Sequence, residues 1–135
     1  MKRLLLVGAV LGLVLAACGS SASDIDGTSW VLFAYDDGGG RVDVLANTEV
    51  TIAFDGDQVS GSDGCNNFSG NYETGSGNKI TIGSLASTRM ACEPDVMAQA
   101  DVVFRLVSDA FLYEKVDGQF FMRTEDARFL GYDGA

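Results

Sequence analysis

From Trp30 onward, apolar side chains return at every second position. Trp30, Leu32 and Ala34 alternate with Val31, Phe33 and Tyr35, and Val50, Ile52 and Phe54 alternate with Thr51 and Ala53. Period two puts the two sets on opposite faces of an extended chain, so both stretches predict strands. Asp55-Gly56-Asp57 then turns the chain into a further strand over Gln58–Ser62. Short strands are also expected over 67–72, 79–82 and 85–90, set apart by Gly, Ser and Asn clusters. Asp117-Gly118 separates the stretches Leu112–Val116 and Gln119–Arg123. A two-residue Asp-Gly loop suits the positive φ values of a type I′ hairpin, which makes this the strongest local pairing signal in the chain. Glu125-Asp126 turns into a last strand over 128–132.

One segment departs from this period. Val96, Ala100, Val103, Phe104 and Val107 recur at helical spacing, while Asp95, Gln99, Asp101, Arg105 and Ser108 largely fill the other side. Pro94 suits a first helical turn, where its missing N–H costs nothing, and Glu93 and Asp95 lie where the positive end of a helix favours carboxylates. The spacing predicts one helix of about four turns from Pro94. The fold class expected is therefore α+β with β dominant: a strongly twisted antiparallel sheet or partly open barrel with one α-helix packed on it. Trp30, Phe54, Phe68, Phe104 and Phe120 are its expected core aromatics.

Composition narrows the chemistry. The chain has 135 residues, enough for one ordinary domain, and carries 19 acidic against 9 basic residues for a net charge of −10. Such a balance repels phosphate backbones and supplies no basic stripe, which argues against a nucleic-acid partner. There is no histidine. Ser-His-Asp and Cys-His nucleophile systems, histidine-rich zinc sites and the ordinary general base poised near neutral pH are thereby excluded.

The first 17 residues have the pattern of an export signal: Lys2 and Arg3, an apolar run of 13 residues over 4–16, and small residues after it. A membrane helix needs about 20 apolar residues, so this run is expected to be cleaved and not to anchor as a helix. Leu15-Ala16-Ala17-Cys18 resembles the lipobox of bacterial lipoproteins, which implies that Cys18 is lipidated and becomes the first mature residue. The alternative is an ordinary signal cut near Ser21 to Ser23. Loss of Lys2 and Arg3 would leave 7 basic against 19 acidic residues, a net −12. Acyl chains contribute about 0.8 kcal/mol per buried CH₂, so two or three hold a domain firmly at a membrane surface. The expected organisation is 1–17 signal peptide, 18–24 lipid-bearing cysteine and flexible tether, and 25–135 folded domain.

Gly64-Cys65-Asn66-Asn67-Phe68-Ser69-Gly70 and Ala86-Ser87-Thr88-Arg89-Met90-Ala91-Cys92, with Gly27-Thr28-Ser29-Trp30 opening the first strand, closely resemble the META domain family, which includes the HslJ-like heat-shock proteins. The order of elements from about Asp24 to the end matches as well. The resemblance implies a compact β-rich domain, often exported or lipid-anchored, without established enzymatic activity, ligand or cofactor, and with envelope stress and surface roles attached to relatives. The expected function is accordingly a non-catalytic, lipid-anchored envelope domain that binds an envelope protein or maintains envelope components under stress, located outside the cytoplasm. The alternative is a small periplasmic ligand-binding protein or enzyme with a site near Asn66 and Arg89.

Read residue by residue, Cys65 and Cys92 are a disulfide candidate, because an exported address permits oxidation and the pair is even once Cys18 is lipidated. Two free buried thiols are the alternative. A catalytic cysteine is disfavoured, since neither belongs to a C-x-x-C motif and no histidine exists to activate it. Arg89 interrupts an apolar and small segment, and an inward strand position would oblige its guanidinium to pair with a carboxylate. A structural ion pair is the expected role, and an anion or partner contact the sharper one. Asn66 and Asn67, beside Gly64, are expected to supply turn hydrogen bonds. Asp55, Asp57 and Asp63 fall close together, but their spacing departs from calcium-binding loops, and solvated turn carboxylates are expected in place of a metal site. No cofactor is implied.

Overall fold

The computed structural model describes residues 24–135. The expected signal segment, Cys18 and most of the tether lie outside the described residues. Ten strands and one helix follow in order: β1 (Thr28–Asp36), β2 (Arg41–Asp43), β3 (Thr51–Asp55), β4 (Gln58–Ser62), β5 (Asn67–Gly75), β6 (Lys79–Ile82), β7 (Ala86–Ser87), α1 (Pro94–Ser108), β8 (Leu112–Val116), β9 (Gln119–Arg123) and β10 (Phe129–Gly134). The fold is the β-dominant α+β class expected from the alternation. It differs in degree from a partly open barrel, because β10 pairs with β1 and the ring β1-β3-β4-β5-β6-β8-β9-β10 closes. Every pairing is antiparallel.

Closure places period-two apolar positions inside. Ile52 and Phe54 of β3, Phe120 and Met122 of β9, and Leu130 and Tyr132 of β10 are each at most 1% exposed. Trp30 stacks on Phe120 at 5.1 Å, and Phe54 meets the same ring edge-on at 5.6 Å. Edge and offset contacts of this kind add to the area the rings bury. The pairing of β1 with β10 shifts between Leu32 and Ala34, so strict alternation ends there and both Ala34 and Tyr35 are buried. Asp117 and Gly118 have φ of 51° and 78°, the type I′ geometry the dipeptide predicts.

Two long strands each serve two partners on one edge. The first half of β1 pairs with β3 and its second half with β2. Likewise β5 takes β6 along Tyr72–Gly75 and β7 at Phe68 and Ser69. The shortest ladder of the ring joins β6 to β8, where Lys79 opposite Leu112 is the one registered pair, helped by Ile80 N–H to Phe111 O and Tyr113 N–H to Asn78 O.

Helix α1 contributes Val103, Leu106 and Val107 to the barrel core. Phe104 is half-buried and meets Phe68 edge-on at 6.3 Å. Gln99, placed by its spacing on the polar side, is instead 3% exposed. Its carbonyl accepts the Leu45 amide at 2.8 Å and its amide donates to Thr48 Oγ1 at 3.1 Å, so it joins the helix to the loop before β3. Both ends of the polar group are satisfied, which is what allows it to be buried. Glu93 occupies the N-cap without a side-chain capping bond, and Asp95 is the acidic residue of the first turn.

Candidate functional site

The segment joining β7 to α1 is held by the turn after β4. Asp63 Oδ1 accepts the amides of Cys65 at 2.9 Å and Asn66 at 2.6 Å, and the Asp63 amide donates to Asn66 O. The turn needs Gly64 at φ +96°, a conformation L side chains rarely adopt. Asp63 is thus a turn carboxylate, but a buried one at 4% exposure, and not the solvated group expected; Asp55 and Asp57 are exposed. Among the described residues no group of three or more Cys, Asp or Glu is placed to hold a metal ion.

This turn delivers Cys65 to Cys92. The two form a disulfide with Cα atoms 6.0 Å apart. Asn66 closes its own turn through the backbone, while its side chain bonds outside that turn. Its side-chain carbonyl reaches across to accept Thr88 Oγ1 at 3.0 Å and the Met90 amide at 2.6 Å. Asn67 contributes backbone only, donating its amide to Thr88 Oγ1 and accepting the Thr88 amide. Disulfide, Asn66 and Asn67 therefore fasten one face of residues 88–92 to β5 and leave the other face outward.

Arg89 stands on that outward face. The expectation of a buried strand position with an ion pair is overturned: the strand is only Ala86–Ser87, Arg89 is exposed beyond it, and among the described residues its guanidinium makes no hydrogen bond or ion pair. The physical reason lies in β7, a short flap at the barrel's edge that does not pass through the core. Its apolar-looking neighbours are not core either, Leu85 being half-buried and Met90 57% exposed.

Across from this segment, α1 presents Met97, Asp101 and Phe104, whose three- and four-residue spacing aligns them on one stripe. The two walls enclose an open groove of about 730 Å³, whose lining includes apolar Leu85, Met90, Met97 and Phe104, the cation Arg89, and Asp63, Asn66 and Asp101. The structure thus brings Asn66, Arg89 and the disulfide to one place. Sequence reasoning misses Met97 and Phe104 as site residues, because Phe104 has the spacing of a core residue; the seven-residue spacing that puts Met97 on the stripe of Phe104 is the one signal that could have found them.

A second charged cluster lies at the other end of α1. Arg128 pairs with Asp126 at 2.9 Å, Asp109 at 3.2 Å and Asp37 at 3.3 Å, and Asp37 also meets Arg105 at 3.2 Å. Hydrogen bonds from Thr124 and then Arg128 hold the Asp126 carboxyl below its ordinary range, while the surrounding carboxylates raise Arg128. With its donors committed to three carboxylates, Arg128 clasps the β1–β2 loop, the helix end and the β9–β10 turn together. On β8 the Tyr113 hydroxyl donates to Asp24 at 2.6 Å, and burial with that bond pushes its pKa up to about 12.

A model of the META domain family matches residues 23–133. Among solved structures, an NMR structure of a protein from Burkholderia xenovorans superposes with a TM-score of 0.69 at 24% identity, covering 82% of this chain and 83% of that one. A second NMR structure gives 0.60 at 23% identity over 80% and 90% of the two chains. The crystal structure of a DUF4847 family protein from Bacteroides vulgatus gives 0.60 at 9% identity over 82% and 94%. These similarities concern the fold. None of the curated proteins matches the chain.

Proposed function

The chain belongs to the META domain family, and from that premise we propose that it is a non-catalytic binding module of the cell envelope, tethered through a lipid on Cys18 and engaging an envelope protein through the groove between Arg89 and Met97. One observation carries this reading. In a chain with 19 acidic residues, Arg89 has no carboxylate partner among the described residues and shares the groove with Met90 at 57% and Met97 at 40% exposure. An unpaired planar donor fork and adaptable thioether side chains on one groove are the means by which a surface holds a partner. Asn66 supports the reading as scaffold, because both bonds to its side-chain carbonyl come from the connector that presents Arg89. An envelope-maintenance role under stress accords with such a module.

The test is capture from native envelopes by the full lipidated chain and by its Met97→Asp variant. A protein retained by the first and lost by the second is the expected result; identical captures by both would overturn the groove as the partner site. Cys18→Ser in the same strain should abolish processing or release the folded domain from membranes, and unchanged processing and retention would overturn the lipid tether.

A further inference from the structure

Resting on that reading of the groove, we propose that its occupant is an extended apolar peptide segment of another protein, which adds as a strand to the outer edge of β7 and places an acidic side chain on Arg89. The hydrogen bonds of the connector fix which edge is free. Thr88 N–H donates to Asn67 O and Met90 N–H to Asn66 Oδ1, so the backbones of Thr88 and Met90 face β5. In an extended chain the polar groups alternate from one edge to the other, so those of Ser87 and Arg89 face away from β5. The Arg89 N–H and C=O make no hydrogen bond among the described residues. Among the described residues β7 pairs with β5 alone, and the ring of strands continues from β6 to β8 without it. An exposed strand edge with unpaired donors and acceptors at two-residue spacing is a template for another chain.

The far wall suits the same occupant. A strand laid along β7 would turn alternate side chains toward Met97 and Phe104 of α1 and toward Leu85 and Met90 of the near wall. Methionines at two of these four positions tolerate varied apolar side chains, so the backbone ladder supplies the bond and the groove a loose preference. Arg89 is the one cation of the groove, whose lining also carries the carboxylates of Asp63 and, on α1, Asp101. Asp63 Oδ1 accepts the amides of Cys65 and Asn66, and among the described residues neither Asp63 nor Asp101 pairs with Arg89. A carboxylate arriving from the peptide meets a guanidinium with all five donors free.

The experiment uses the full chain with labelled pentapeptides: acetyl-Val-Leu-Asp-Leu-Val-amide, its Asn counterpart, and two forms N-methylated at alternate amides in the two opposite phases. Binding is read by fluorescence anisotropy, and amide-resolved NMR reports the site. The Ser87 and Arg89 amides should move together with Met97 and Phe104. One methylation phase should bind at least about ten-fold more weakly while the other changes little, as the loss of directed backbone bonds requires. Asp to Asn in the peptide should weaken binding several-fold, and Arg89→Gln should erase that difference. Shifts at Met97 and Phe104 without a phase preference would overturn strand addition and leave the groove as a partner site. No shift in the groove with any probe would overturn both. Shifts of the same residues on raising protein concentration without peptide would assign the edge to a second copy of this chain and overturn the peptide.

Discussion

The side-chain carbonyl of Asn66 lies 2.6 Å from the Met90 amide nitrogen, across 24 residues of chain, and the same oxygen accepts Thr88 Oγ1. Two donors on one acceptor make Asn66 a fastening for the connector that carries Arg89. Asn66→Ala should cost about 0.5–1.5 kcal/mol, the net worth of a hydrogen bond where water can take over the exposed donors. Faster hydrogen exchange at Met90 with little change in the barrel strands is the expected signature; uniform acceleration across the domain would show that Asn66 supports the whole fold instead.

The disulfide acts on the same segment by another route. Cys65 and Cys92 are 27 positions apart, and closing a loop of that length is worth about 3.6 kcal/mol when the constraint falls on the unfolded chain. Reduction should lower the thermal midpoint and leave the far-ultraviolet spectrum of the barrel intact below it. Intact-mass analysis after alkylation of the native oxidised protein should find both thiols blocked, and two alkylated thiols would remove the basis for this stabilisation.

Gln99 separates a packing role from a solvated one. Its amide satisfies Leu45 and Thr48 from within the helix interface, so Gln99→Leu keeps the volume and abandons both partners. A loss of about 1–3 kcal/mol in denaturant unfolding is expected from the stranded groups. A neutral result would place the loop before β3 outside the cooperative unit.

What the sequence made legible was what is decided locally. Asp117-Gly118 dictates its own hairpin, and the period change at Pro94 marks the helix without reference to any partner. The misses share a different cause. β2 is three exposed residues that exist as a strand only because β1 is long enough to pair beyond β3. Gln99 looked solvated because its partners, Leu45 and Thr48, are more than 50 positions away. Arg89 looked buried because small and apolar neighbours usually mean core, whereas here they belong to a flap outside the ring. Arg128 draws partners 2, 19 and 91 positions distant, and no local pattern assembles those.

That clasp should appear in the acid limb of stability. Hydrogen bonds from Thr124 and Arg128 keep folded Asp126 ionised below its ordinary value of 3.8, so the unfolded chain takes up the proton first as pH falls. The stabilisation is complete above 3.8 and is lost as pH drops through the lower folded value. Comparing midpoints of wild type and Asp126→Asn against pH should show a gap near neutrality that narrows below 3.8. A gap constant through the acid range would mean that the charge of Asp126 contributes nothing.

Arg89 supplies the opposite control. A buried, paired arginine would lose about 3–5 kcal/mol on truncation through the charge it strands. Arg89 is exposed and strands nothing, so Arg89→Met should fall within about 0.5 kcal/mol of wild type. Arg128→Met, which abandons three aspartates, should lower the midpoint visibly in the same denaturant series. If Arg89→Met destabilised as much as Arg128→Met, the guanidinium would be bearing load in the fold and could not be standing free for a partner. Stability kept with peptide selectivity lost is the combination that a residue reserved for binding must give.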